Sequence, residues 1–258
     1  MTLVLDHLRS RLRAGHKLLV PYVVAGIPER SAFPDVLRAI AQHADLVEVG
    51  LPYSDPLMDG PLIASAAKRA IRDGTGPLGA LDLVAGLDVG VPRAAMSYYN
   101  PIHHLGEKEF CRRARDAGFA GLIVPDIPHE ESAGLRAAAA DHDLAWIPLV
   151  APTSSQARVD ALCASTTGFV YAVSTLGVTG TREELSERAA KVVASCRSAT
   201  DVPILVGIGI SNADQARAAV QVADGVVIGS AVVRLLLEEG APAAEAFLAG
   251  LRAAVDAP

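Results

Sequence analysis

The chain has 258 residues, 51% of them hydrophobic but only 4% aromatic, so its core must be aliphatic, as in a parallel sheet covered by helices on both faces. A net charge of −6 without a basic cluster excludes a nucleic-acid surface. Cys111, Cys163 and Cys196 stand far apart with no C-x-x-C pair, and the seven histidines show no metal-ligand spacing, so neither a disulfide frame nor a metal site is expected.

Val4–Ala14 has the periodicity of a helix and precedes a first strand, Leu18–Val24. A helix over Ser31–Gln42, with Ser31 as its cap, leads to strand Leu46–Val49 and helix Pro61–Arg72, where Pro61 suits the first turn. The stretch from Gly74 to Gly90 adds a helix around Leu78–Leu87. Strand Ala94–Ser97, helix Glu107–Ala117, strand Gly121–Val124 and helix Glu131–His142 keep up the alternation. Strands Ala145–Val150 and Phe169–Val173 precede a helix over Arg182–Ser198. Strand Ile204–Gly207 then runs to a helix over Asn212–Val222, capped by Asn212. Strand Gly225–Ile228 and helices Ala231–Leu237 and Pro242–Ala254 close the chain.

Eight strands alternating with helices imply parallel strands joined by right-handed crossovers. Eight such units in ~250 residues match a closed (β/α)8 TIM barrel. No linker or composition shift divides the chain, so one domain over residues 1–258 is expected, with extra N-terminal and C-terminal helices. No apolar run approaches the ~18–20 residues of a membrane span, and the first residues lack a secretory pattern. A soluble cytoplasmic protein is expected.

Barrel chemistry sits at the C-terminal ends of the strands, and the polar residues fall there. Glu48 ends an apolar run, Asp55 and Asp59 lie in the next loop, Ser97-Tyr-Tyr-Asn100 and Asp126 follow two further strands, and Tyr171 lies in another with Ser174 just beyond it. An unpaired carboxylate in a buried strand is costly or shifts its pKa. Glu48 with Asp59 eleven residues on therefore reads as an acid–base pair, the alternative being a core-edge Glu paired with a cation. Glycine loops at Gly177–Gly180, Gly207–Gly209 and Gly229-Ser230 allow backbone amides to approach an anion, and helix N-termini add a favourable dipole. Together they indicate a phosphate monoester site. The segment from Ser174 to about Leu185 reads as a lid. An epimerase or isomerase barrel would want metal ligands or a strand-end Lys, and no His or Lys ends a strand here. A barrel kept only as a binding partner would have lost its carboxylates.

These residues also carry a resemblance. EVGLPYSDPLMDGP at 48–61, MSYYNPI at 96–102, PDIPHEES at 125–132, YAVSTLGVTGTRE at 171–183, GIGIS at 207–211 and IGSAVV at 228–233 resemble the tryptophan synthase alpha chain family, in order and over nearly the whole chain. The resemblance implies retro-aldol cleavage of indole-3-glycerol phosphate to indole and glyceraldehyde 3-phosphate, without cofactor or metal. It implies Glu48 as the acid–base residue, Asp59 as the carboxylate facing the indole N–H, and Tyr171 near the reacting centre. Gly180, Gly209, Gly229 and Ser230 match the phosphate grip, Tyr22, Met96, Ile123 and Ile208 the indole pocket, and Thr179 the lid. The implied partner is a pyridoxal-phosphate tryptophan synthase beta chain in an alpha2beta2 tetramer; the alternative is a free-standing indole-3-glycerol phosphate lyase. The chain departs from many relatives with Val24 for Thr, Tyr22 for Phe, Ala64 for Gln, and no arginine in Ser174-Thr-Leu-Gly-Val-Thr-Gly180.

Overall fold

A computed structural model describes residues 2–173, 182–207 and 209–256, the side chains of 182–186 excepted. Among the described residues nine strands form: β1 (Leu18–Val24), β2 (Val47–Gly50), β3 (Arg93–Met96), β4 (Gly121–Ile123), β5 (Ala145–Trp146), β6 (Leu149–Val150), β7 (Val170–Val173), β8 (Ile204–Gly207) and β9 (Gly225–Ile228). Their order is β5-β4-β3-β2-β1-β9-β8-β7-β6, and every pairing is parallel.

The two ends of that order are neighbours in the chain, separated only by Ile147 and Pro148. The Ile147 N–H donates to the Leu122 carbonyl at 3.1 Å, beside β4. Pro148 has no N–H to continue the ladder; its carbonyl instead accepts from Tyr171 N–H of β7 at 3.0 Å. The single strand expected over Ala145–Val150 is thus one strand split at a proline, and the split hands it from one half of the sheet to the other. This closes the expected eight-stranded TIM barrel.

Among the described residues twelve α-helices accompany the strands: α1 (Leu3–Arg13), α2 (Phe33–Ala41), α3 (Pro61–Arg72), α4 (Pro77–Val84), α5 (Tyr99–Leu105), α6 (Glu107–Asp116), α7 (Ala133–Asp141), α8 (Gln156–Ser165), α9 (Arg182–Arg197), α10 (Ala213–Val220), α11 (Ser230–Glu238) and α12 (Ala241–Val255). All seven residues of β1 are buried, because the helices cover the outside of the barrel and side chains fill the inside. α2 shows why the helical stretches were readable: Phe33, Val36, Leu37 and Ile40 form one buried stripe at helical spacing.

Three local expectations need correction. Ser31 does not cap α2; its hydroxyl donates to Glu29 at 3.0 Å, and the helix starts one residue after Ala32 with no side-chain cap. Asn212 does cap α10, accepting from Gln215 N–H at 3.0 Å. Residues 99–105, for which no helix was expected, form α5, which buries only Ile102; its first N–H donates to the distant Asp126 carboxylate at 2.8 Å. The unforeseen α8 buries only Val159 and Cys163 and so carries almost no stripe.

The ends of the strands away from the candidate site are tied by buried charge. Asp45, 1% exposed, accepts from Leu19 N–H at 2.8 Å, Arg11 at 2.6 Å and Arg252 at 2.7 Å, joining β1, α1 and α12. Buried Arg93 donates to Val84, Ala117 and Gly118 carbonyls at 2.9, 3.2 and 3.2 Å, satisfying acceptors at the C-terminal ends of α4 and α6.

Candidate active site

Parallel register brings inward-facing residues of adjacent strands to the same level. Tyr22 of β1 pairs with Glu48 of β2, Met96 of β3 with Ile123 of β4, and Leu149 of β6 with Tyr171 of β7. These six residues line one cavity of about 440 Å³, completed by Leu57, Met58, Asp59 and Ile63 after β2, with Pro125, Ala151, Val173 and Gly229. The carboxyl groups of Glu48 and Asp59 therefore face one space whose remaining wall is mostly aliphatic and aromatic.

Glu48 is only 3% exposed, and its Oε2 has no hydrogen-bond partner among the described residues. Burial, and then the charge of Asp59, pushes its pKa up to about 8. Asp59 is half-buried; burial raises it to about 6, held back by a hydrogen bond from Tyr98. Between the two, Glu48 is the carboxyl that keeps its proton more readily and Asp59 the one that ionises more readily. Divergent pKa values in neighbouring carboxyls are what acid and base roles in one site require. Burial and the two carboxylates push the Tyr22 and Tyr171 phenols well above their ordinary range, so both stay neutral.

Two glycines make room for those phenols. A Cβ on Gly50 would lie 2.1 Å from the Tyr22 hydroxyl, and one on Gly207 would lie 2.6 Å from the Tyr171 ring. The space left by the missing side chain of Gly207 is filled by the Tyr171 ring.

Of the expected phosphate residues, Gly229 lines the cavity and ends β9's run into α11, whose first residue is Ser230 and whose N-terminus has no side-chain cap. Ser230 and Gly209 are not in the cavity wall; Gly209 is exposed, with φ +66° that favours glycine, ahead of α10. Gly180, Thr179 and Ile208 lie outside the described residues, as does most of the expected lid; its last residues belong to α9. Asp55 stays on the exposed side of its loop, accepting from Ser54 at 2.5 Å. Among the described residues no three His, Cys, Asp or Glu side chains cluster as metal ligands would.

Sequence reasoning passed over Ile63 and Leu149, and it placed Tyr98 at the rim without giving it a role. Tyr98 is 2% exposed, its hydroxyl accepts from Met58 N–H at 2.9 Å, and its ring lies 5.4 Å from that of Tyr53. Its signal was present in the polar run after β3, but its target sits forty residues earlier.

Comparison with known proteins agrees with this geometry. The sequence profile of the tryptophan synthase alpha chain family matches residues 8–254. A tryptophan synthase alpha chain of Acaryochloris marina is 43% identical over 246 residues, covering 94% of this chain and 92% of its own. One of Streptomyces avermitilis is 42% identical, covering 97% and 90%. Among solved structures, tryptophan synthase from M. tuberculosis in an open form superposes with TM-score 0.91 at 35% identity, covering 99% of each chain. The subunit alpha from Legionella pneumophila str. Paris gives 0.90 at 29% identity, also covering 99% of each. A closed barrel whose Glu48 and Asp59 face one mostly apolar cavity, matched from end to end by these relatives, makes the chain a member of the tryptophan synthase alpha chain family, lyases of tryptophan biosynthesis.

Proposed function

We propose that the chain cleaves indole-3-glycerol phosphate into indole and glyceraldehyde 3-phosphate, with Glu48 and Asp59 doing the proton and charge work. The bond to break joins indole C3 to the hydroxyl-bearing carbon of the glycerol chain. Protonated Glu48 delivers a proton to C3, giving an indolenine whose N1 carries positive charge opposite ionised Asp59. Glu48, now a carboxylate, removes the hydroxyl proton as the C–C bond breaks and its electrons restore the aromatic ring. The aldehyde departs, and Glu48 holds its proton again. General acid–base help of this kind is worth ~10²–10⁴ in rate.

The single observation that supports this reading is that the Glu48 and Asp59 carboxyls face one mostly apolar cavity, where burial raises both, Glu48 the further. Tyr22, Met96 and Ile123 offer the flat apolar walls an indole needs, and Tyr171 sits close to both carboxyls. Gly229 and the uncapped start of α11 at Ser230 suit the phosphate, with Gly209, Gly180, Thr179 and Ile208 completing the grip, lid and pocket. A tryptophan synthase beta chain, in an alpha2beta2 assembly, is the proposed partner. Leu57 and Met58, 88% and 51% exposed beside Asp59, are apolar surface suited to one. A cytoplasmic location belongs to the same reading.

Purified chain mixed with indole-3-glycerol phosphate, with and without a beta chain, tests it by indole release. Slow turnover alone and faster turnover with the beta chain is expected. No indole under either condition overturns the reading; fast turnover indifferent to the beta chain makes the protein a free-standing lyase.

A further inference from the structure

We propose that Tyr98 is a positioning residue for this cleavage: its hydroxyl ties the segment carrying Met58 and Asp59 to the barrel rim and aims the Asp59 carboxylate over the cavity. The inference rests on the proposed function and assigns a further residue to it. A tyrosine hydroxyl has one proton and lone pairs to spare. Here the oxygen accepts from Met58 N–H at 2.9 Å, which leaves its proton to turn toward Asp59, the next residue along, whose carboxylate bears on this phenol. The segment's own bonds are local turns, Leu57 N–H to Asp55 O at 2.9 Å and Asp59 N–H to Pro56 O at 3.1 Å. Among the described residues neither holds it against the barrel, and Leu57 and Met58, although they border the cavity, are 88% and 51% exposed.

Tyr98 is itself well placed to serve as an anchor. It is 2% exposed, stacked beside Tyr53, and stands immediately before α5, whose first N–H is held by Asp126 from the loop after β4. A rigid donor to a carboxylate favours its ionised form. The ionisable groups bearing on Asp59 are Glu48 from β2, Tyr22 from β1, Tyr98 and Tyr171 from β7. The three phenols stay neutral throughout the working pH range, so only Glu48 titrates beside it.

Tyr98→Phe keeps the ring and removes the hydroxyl. In the full chain, kcat for indole release should fall about tenfold, as loss of a charge-assisted hydrogen bond predicts, with a smaller change in KM. The acid limb of kcat/KM should move to higher pH. A merely structural role would lower the melting temperature and leave that limb in place, which would overturn the proposal. A second reading needs no substrate: carboxyl ¹³C NMR of Asp-labelled protein, with Asp59→Asn to assign the signal, should show Asp59 titrating at higher pH in Tyr98→Phe than in wild type. Coincident titrations overturn the positioning role whether or not the chain cleaves. A shifted titration in a protein that releases no indole overturns the proposed function alone and upholds the hydroxyl's hold on Asp59.

Discussion

Glu48→Gln separates the cost of the acid from its use. In the unfolded chain the carboxyl titrates near 4.5, and in the folded one near 8. The folded state therefore keeps a proton that the unfolded state releases, so the native form is penalised progressively as pH rises from about 4.5 to about 8. One pH unit corresponds to about 1.36 kcal/mol. The 3.5-unit span from 4.5 to 8 then gives ~5 kcal/mol as an upper bound, because Asp59 shares part of the repulsion. Gln cannot ionise, so its stability lacks this slope, although its buried amide costs a pH-independent ~1–3 kcal/mol where the described residues offer no partner. Urea unfolding at several pH values should therefore show the variant at or below wild type near pH 5. It should overtake wild type by several kcal/mol near pH 9, while indole release is abolished throughout. A stability difference that stays constant between pH 5 and 9 would refute the reasoning, because it would mean that Glu48 is not protonated by burial.

Gly207→Ala should push the Tyr171 ring, 2.6 Å from the new methyl, costing about 1–3 kcal/mol. Adding Tyr171→Leu should recover most of that stability in urea titrations, whereas additive losses would deny the contact. Asp45→Ala strips the shared partner of Leu19 N–H, Arg11 and Arg252 and should cost about 3–5 kcal/mol. Turnover of the folded protein should be unchanged, because the cluster lies at the opposite end of the strands; a loss under 1 kcal/mol in urea would contradict it.

Much of the site could be read before any fold was known, because its residues break local rules. Glu48 interrupts an apolar run, and Gly229 ends a strand just where a helix begins; both line the cavity. Tyr22, Met96 and Ile123, expected there only through family resemblance, line it too. Tyr98 broke no rule, since a tyrosine after a strand is unremarkable until Met58 and Asp59 arrive beside it. That Gly207 also makes room for the Tyr171 ring could not be read, because a glycine in sequence does not say what fills its missing side chain.

By itself the sequence determined the alternation of strands and helices, the aliphatic core and the barrel end where carboxyls gather. Those follow from periodicity, which records how each segment is buried. Only the tertiary structure decided that Pro148 splits a strand and closes the ring, that Asp126 holds the start of α5, and that the Tyr98 hydroxyl meets Met58 N–H. Each of these joins groups some twenty to forty residues apart, and such partners are chosen by strand register and loop closure, which no local pattern encodes.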